Sequence, residues 1–154
     1  MKRYAHWLFA FVLAQEGDFL RAAQEADRVV AMAPYDAFAI GVIADVFLLS
    51  GQPQKALDQA EFALARDPSR TRNFNYTRGW ALRLLGRYED SIAAFKESGY
   101  PDGDRPLQVA IDLVHLGRLD EAKGEVKLML AKNDPSFHPG QVAIGLLLQR
   151  YVDR

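Results

Sequence analysis

"YTRGWALRLLGRYEDSIAAF", residues 76–95, holds two apolar-rich helical stretches joined at a single glycine, Gly86. Glycine tolerates the positive φ that closes a helix and turns the chain into a partner helix. The stretch therefore predicts a helical hairpin, and the same signal recurs along the chain. Gly17-Asp18-Phe19, Gly51-Gln52-Pro53, Gly86-Arg87-Tyr88 and Gly117-Arg118-Leu119 follow one another at intervals of 34, 35 and 31 residues. Ala22, Ala56, Ser91 and Ala122 stand at one offset after each glycine, and Ala26, Ala60, Phe95 and Val126 four residues further on. Small residues spaced by four share a helix face and let two helices approach closely. Proline stands near the end of the second helix in "MAPYD", "RDPSR" and "NDPSF", where it stops one hairpin before the next begins. The third unit ends instead in the irregular "SGYPDGD".

A helix-turn-helix of about 34 residues with these signals resembles the tetratricopeptide repeat. The resemblance runs over roughly residues 3 to 135. Repeats one and two carry it on Ala10, Leu13, Gly17, Ala22, Ala26 and Pro34, then Ala44, Phe47, Gly51, Ala56, Ala60, Ala63 and Pro68. Repeat three has a truncated second helix. Repeat four keeps "VAIDLVHLGRLDEAKGEV" but has Pro106 near its helix start. The expected fold class is all-α, a right-handed solenoid of four helix-turn-helix repeats in a single domain over 1–154. The repeats fall at about 3–36, 37–70, 72–102 and 103–135, and a C-terminal helix at about 139–152.

Composition bounds the rest. The 154 residues are 49% hydrophobic and 25% charged, enough apolar material for a core and too much for a disordered chain. A net charge of −1 gives no electrostatic case for nucleic acid or an anionic membrane, and no apolar run reaches the length of a membrane span. The absence of cysteine excludes disulfides, thiolate metal sites and thiol nucleophiles.

The first residues, "MKRYAHWLFAFVLAQEGDF", have the outline of a secretory signal: a basic start, an apolar run and small residues before a cleavage point. Counting one repeat back from Ala44, Phe47 and Gly51 puts Ala10, Leu13 and Gly17 in register, so this stretch reads as the first helix of repeat one. Cutting after Ala14 would expose side chains worth about 1.5–3 kcal/mol each. The helical reading places the protein in the cytoplasm; the signal reading would place it in the periplasm. Tyr4, Trp7, Leu8, Phe9, Phe11, Val12 and Leu13 leave this helix little polar surface, although terminal repeats normally present a polar outer face. Val142, Ile144, Leu146, Leu147, Leu148 and Tyr151 do the same for the last helix. Homo-oligomerisation through the first or last helix, or attachment to a larger assembly, is the expectation.

Catalytic chemistry finds no constellation. His6, His115 and His138 lie far apart without helix-spaced metal co-ligands, and no phosphate loop or nucleophile elbow is present. Glu89-Asp90 and Asp120-Glu121 open second helices, where acids favour the positive end of the helix dipole. The expectation is a non-enzyme with no metal and no cofactor. Arg66, Arg70, Arg72, Arg78, Arg83 and Arg87 cluster around the single acid Asp67, reading either as a solvated face or as a site for an acidic or phosphorylated partner.

The family resemblance implies a concave surface lined by the first helices. By register it takes Tyr4, Trp7 and Phe11 from repeat one, and Phe38, Val42 and Asp45 from repeat two. Repeat three adds Asn73, Tyr76, Trp80 and Arg83; repeat four adds Leu107, Ile111 and His115. Several of these, Trp7 and Phe11 above all, read equally well as core between neighbouring helices. The basic and amide slots with which some family members grip acidic chaperone tails hold Trp7, Phe11, Val42 and Thr77 here, and only Asn73 fits. The expected partner is therefore a protein or peptide with an apolar face, an amphipathic helix or an extended segment, rather than nucleic acid or membrane. The alternative expectation is a regulatory or oligomerising segment of a larger enzyme. The ending "GRLDEAKGEVKLMLAKNDPSF" (117–137) is similar to tetratricopeptide tails of bacterial class III nucleotidyl cyclases.

Overall fold

The computed structural model describes residues 2–99 and 104–131. Within them the chain forms α1 (Lys2–Gln15), α2 (Phe19–Met32), α3 (Ala37–Leu49), α4 (Pro53–Arg66), α5 (Thr71–Leu84), α6 (Tyr88–Glu97), α7 (Asp104–His115) and α8 (Leu119–Ala131), with one 3-10 turn at Pro68–Arg70. No strand occurs among the described residues. The expected helix at 139–152 lies outside them.

Consecutive helices pair as antiparallel hairpins, and each second helix also packs on the first helix of the next hairpin. The first helices α1, α3 and α5 lie side by side. This is a two-layer solenoid, in which every hairpin buries its apolar face on its neighbour.

The hairpins close on one recurring cap. Gly17, Gly51, Gly86 and Gly117 have φ between +70° and +81°. After each, the next backbone N–H reaches back to the carbonyl of Leu13, Phe47, Leu82 or Leu113, and the glycine N–H to Ala14, Leu48, Arg83 or Val114. Those paired bonds satisfy carbonyls that a helix end would otherwise leave orphaned. The side chains of Leu13, Phe47, Leu82 and Leu113 are themselves buried, so the turn and the core fix each other. Starts are set by different residues. Asp18 and Asp36 accept from the N–H groups of Arg21 and Ala39, and Pro53 supplies the pre-set φ for α4. Glu89–Asp90 and Asp120–Glu121 occupy the first turns of α6 and α8. Arg118 binds both Glu121 and Glu89, and its hydrogen bonding holds the Glu121 carboxyl below its usual value.

Helix α1 contributes Ala10, Leu13 and Ala14 to the core, so residues 2–15 form a wall of the fold. Helix α3, "AFAIGVIADVFLL", is apolar except for Asp45 because it packs on α1, α2, α4 and α5. Two mid-helix glycines bring helices unusually close. A Cβ on Gly41 would lie 2.2 Å from the Phe74 ring, and one on Gly79 2.8 Å from the Phe95 ring. The buried side chains form two clusters. The first gathers Leu13, Val29, Phe47, Leu57 and Leu82 among others, and the second gathers Ile92, Phe95, Val109, Leu113 and Val126. The truncated α6, ten residues long, stands between them and feeds both, through Ala94 and through Phe95.

Candidate functional site

The first helices α3 and α5 enclose a pocket of about 600 Å³ on their shared face, within the ~300–1,000 Å³ usual for ligand sites. Its walls are Asp45, Leu48 and Leu49 from α3, and Asn73, Tyr76, Thr77, Trp80 and Leu84 from α5. The walls are mostly apolar, and Leu49 and Leu84 are left exposed at the opening. Phe95 sets the aromatic wall from behind: the Tyr76 and Trp80 rings meet it edge-on, at 5.5 and 6.3 Å between centroids. Both aromatics therefore serve the second core cluster and the pocket together.

Asp45 is the single formal charge in this wall. The Thr77 hydroxyl donates to its Oδ1 at 2.6 Å, tying α5 to α3 at the pocket floor. Burial raises the Asp45 carboxyl above its ordinary value, and the Thr77 bond offsets part of that rise. No cation among the described residues pairs with it.

Four of the residues expected from the register thus come together: Asp45, Asn73, Tyr76 and Trp80. Leu48, Leu49 and Leu84 complete the pocket and were not expected, and Thr77, named only as the occupant of a clamp slot, joins them. They lie three or four positions from Asp45 or Trp80, or one helix turn after Asn73, and that helical spacing was the available signal. The others are placed elsewhere. Arg83 is turned away from the pocket into the body, where its Nε bonds Asp112 Oδ1 and its Nη1 bonds Gln108 Oε1, both at 2.6 Å. A guanidinium with buried acceptors on α7 is held there rather than in the groove. Leu107 is also buried and offers no surface to a partner. Ile111 and Val42 are half-buried, and Phe38 stands at the start of α3, away from the pocket. Trp7 and Phe11 pack edge to face on the first core cluster. Tyr4 lies in α1, its side chain outside the described set. His115 stacks on the Tyr88 ring at 4.6 Å.

The arginine cluster separates into individual contacts. Arg66 covers the Phe62 ring, Arg78 binds Asn75 and Glu97, and Arg87 binds Asp90. No group of three metal-ligating side chains occurs among the described residues. His6 meets Glu25 at 2.6 Å, and Glu25 also binds Arg28, so that histidine belongs to the α1–α2 contact. No described helix is long and apolar enough to cross a membrane.

The model of the tetratricopeptide repeat matches residues 42–104, from the middle of α3 to the start of α7. Over that segment the chain is similar to the tetratricopeptide repeat family. Solved structures of tetratricopeptide proteins are similar over more of the chain. The nearly identical tetratricopeptide-like repeats from Podosopora anserina superpose with a TM-score of 0.79 at 17% identity, over 99% of this chain and 87% of that one. A thermophilic tetratricopeptide protein of Thermus thermophilus gives 0.74 at 18%, over 99% and 82%. YrrB, a tetratricopeptide protein with an unusual peptide-binding site, gives 0.66 at 20%, over 96% and 76%. Among curated proteins none matches. The tetratricopeptide fold suggests a protein-interaction module, and proteins built this way generally act as non-catalytic scaffolds.

Proposed function

We propose that the protein binds a peptide, as an extended segment or an amphipathic helix, in the groove between the first helices of repeats two and three. The observation that carries this reading is the α3–α5 pocket: apolar, open, walled by Tyr76 and Trp80, and set on the face where tetratricopeptide arrays present their first helices. Aromatic side chains in such pockets supply most of the energy in protein interfaces. The peptide-binding site of YrrB, on the same fold, supports the reading by likeness.

The test is capture from a random peptide library immobilised on beads. Tyr76→Ala with Trp80→Ala should abolish capture while helicity by circular dichroism is kept. Both rings also serve the core, so Leu84→Lys is the cleaner probe: it places a charge at the exposed rim without opening a cavity. Undiminished capture by both variants would remove the groove from consideration.

A second reading, a segment that oligomerises or joins a larger enzyme, is supported by the exposure of Leu8, Phe9 and Val12 along α1. A cyclase as that larger enzyme rests on residues 117–137 alone.

A further inference from the structure

We infer that the α3–α5 pocket selects a lysine or arginine side chain flanked by apolar residues, with Asp45 as its counter-ion. This rests on the groove reading above and adds the chemistry of the partner. An apolar pocket with one carboxylate in its wall is an unbalanced environment. Burying a charge without a partner is costly, and a neutral residue at position 45 would line the same pocket without that cost. Thr77 brings one hydrogen to the carboxylate; its other oxygen has no partner among the described residues.

The nearest buried cation does not correct the balance. Arg83 lies 4.7 Å from the Trp80 ring centroid but is neutralised by Asp112 on the far side. The field inside the pocket therefore stays negative. An incoming ammonium or guanidinium would meet Asp45 in a low-dielectric wall, where pairing is stronger than at a free surface. Its aliphatic stem would lie along Leu48 and the aromatic rings, the arrangement by which long basic side chains cover apolar surface, and the faces of Trp80 and Tyr76 attract cations in their own right. The same carboxylate repels an acidic ligand, which agrees with the filling by other residues of every slot that acidic tails require except that of Asn73.

The experiment is an array of nonapeptides randomised except for a central Leu-X-Leu, with X as lysine, arginine, norleucine, glutamine or glutamate. It is probed with labelled wild type, Asp45→Asn and Leu84→Lys, and the strongest binders are measured again by fluorescence anisotropy. The lysine and arginine series should bind wild type about tenfold more tightly than the norleucine series, a difference of about 1.4 kcal/mol. In Asp45→Asn, which keeps an acceptor for Thr77, that ratio should collapse to about one; Asp45→Ser repeats the measurement if the first variant melts early. Equal binding of the lysine and norleucine series by wild type, or a basic preference that survives Asp45→Asn, overturns the counter-ion role while leaving the groove standing. Capture that is absent, or unchanged by Leu84→Lys, fails the groove itself and this inference with it.

Discussion

At the scale of single residues, Gly41 and Gly79 show what a missing side chain does. Each is a poor helix former placed mid-helix, at a cost of about 1 kcal/mol relative to alanine. What it permits is the seating of a phenyl ring, Phe74 or Phe95, against bare backbone. Both rings are buried and have nowhere to move. Gly41→Ala should therefore destabilise the fold despite its better propensity, since overpacking costs about 1–3 kcal/mol. A thermal melt lowered by several degrees would show it, and Gly79→Ala should follow with a smaller drop. Asp45 predicts the opposite sign. Its folded carboxyl titrates above the ordinary 3.8, so the folded state holds that proton more tightly than the unfolded chain. The penalty is absent below the ordinary value, grows as pH rises through the elevated one, and is complete at neutrality. Asp45→Asn should raise the melting temperature at pH 7 and give no gain in acid.

At the scale of elements, the glycine turns were legible in the sequence because a left-handed cap admits few residues and must recur wherever a hairpin closes. The small-residue offsets were legible for a related reason. Ser91 occupies an alanine slot, and its hydroxyl lies within bonding reach of the Gly79 carbonyl and Asp112 Oδ2, which only a small side chain at that position allows. The direction of Arg83 was not legible. Register alone sets it on the concave face, and the acceptors that draw it inward, Gln108 and Asp112, come from α7 across the irregular third repeat. Pairings of that kind leave no local signature. Arg83→Met should cost about 3–5 kcal/mol, because Asp112 is left charged and buried. Combining it with Asp112→Leu should recover much of that loss in urea melts, since neither charge then lacks its partner.

At the scale of the whole molecule, the eight described helices and their pairing followed from spacing, whereas the pocket lies at the α3–α5 step among the interfaces that the register offered. The reason is local bulk. Trp7 and Phe11 pack on the first core cluster, while the step from α3 to α5 keeps Asp45 and Thr77 at its floor and stays open. The apolar outer face of α1, with Leu8 and Val12 about half exposed, predicts self-association. Light scattering during size-exclusion chromatography should show a mass above 17.3 kDa that rises with concentration, and Leu8→Glu with Val12→Lys should return it to the monomer value.

The two core clusters meet along α5 and α6, and the pocket touches only the first helices of repeats two and three. A bound peptide would therefore brace the middle repeats, where both clusters are touched, and leave α8 to breathe at its own rate. Amide hydrogen exchange in the presence of peptide should slow in α3 and α5 and remain unaltered in α8, so occupancy would be written into the molecule as an asymmetry of opening rates rather than a change of shape.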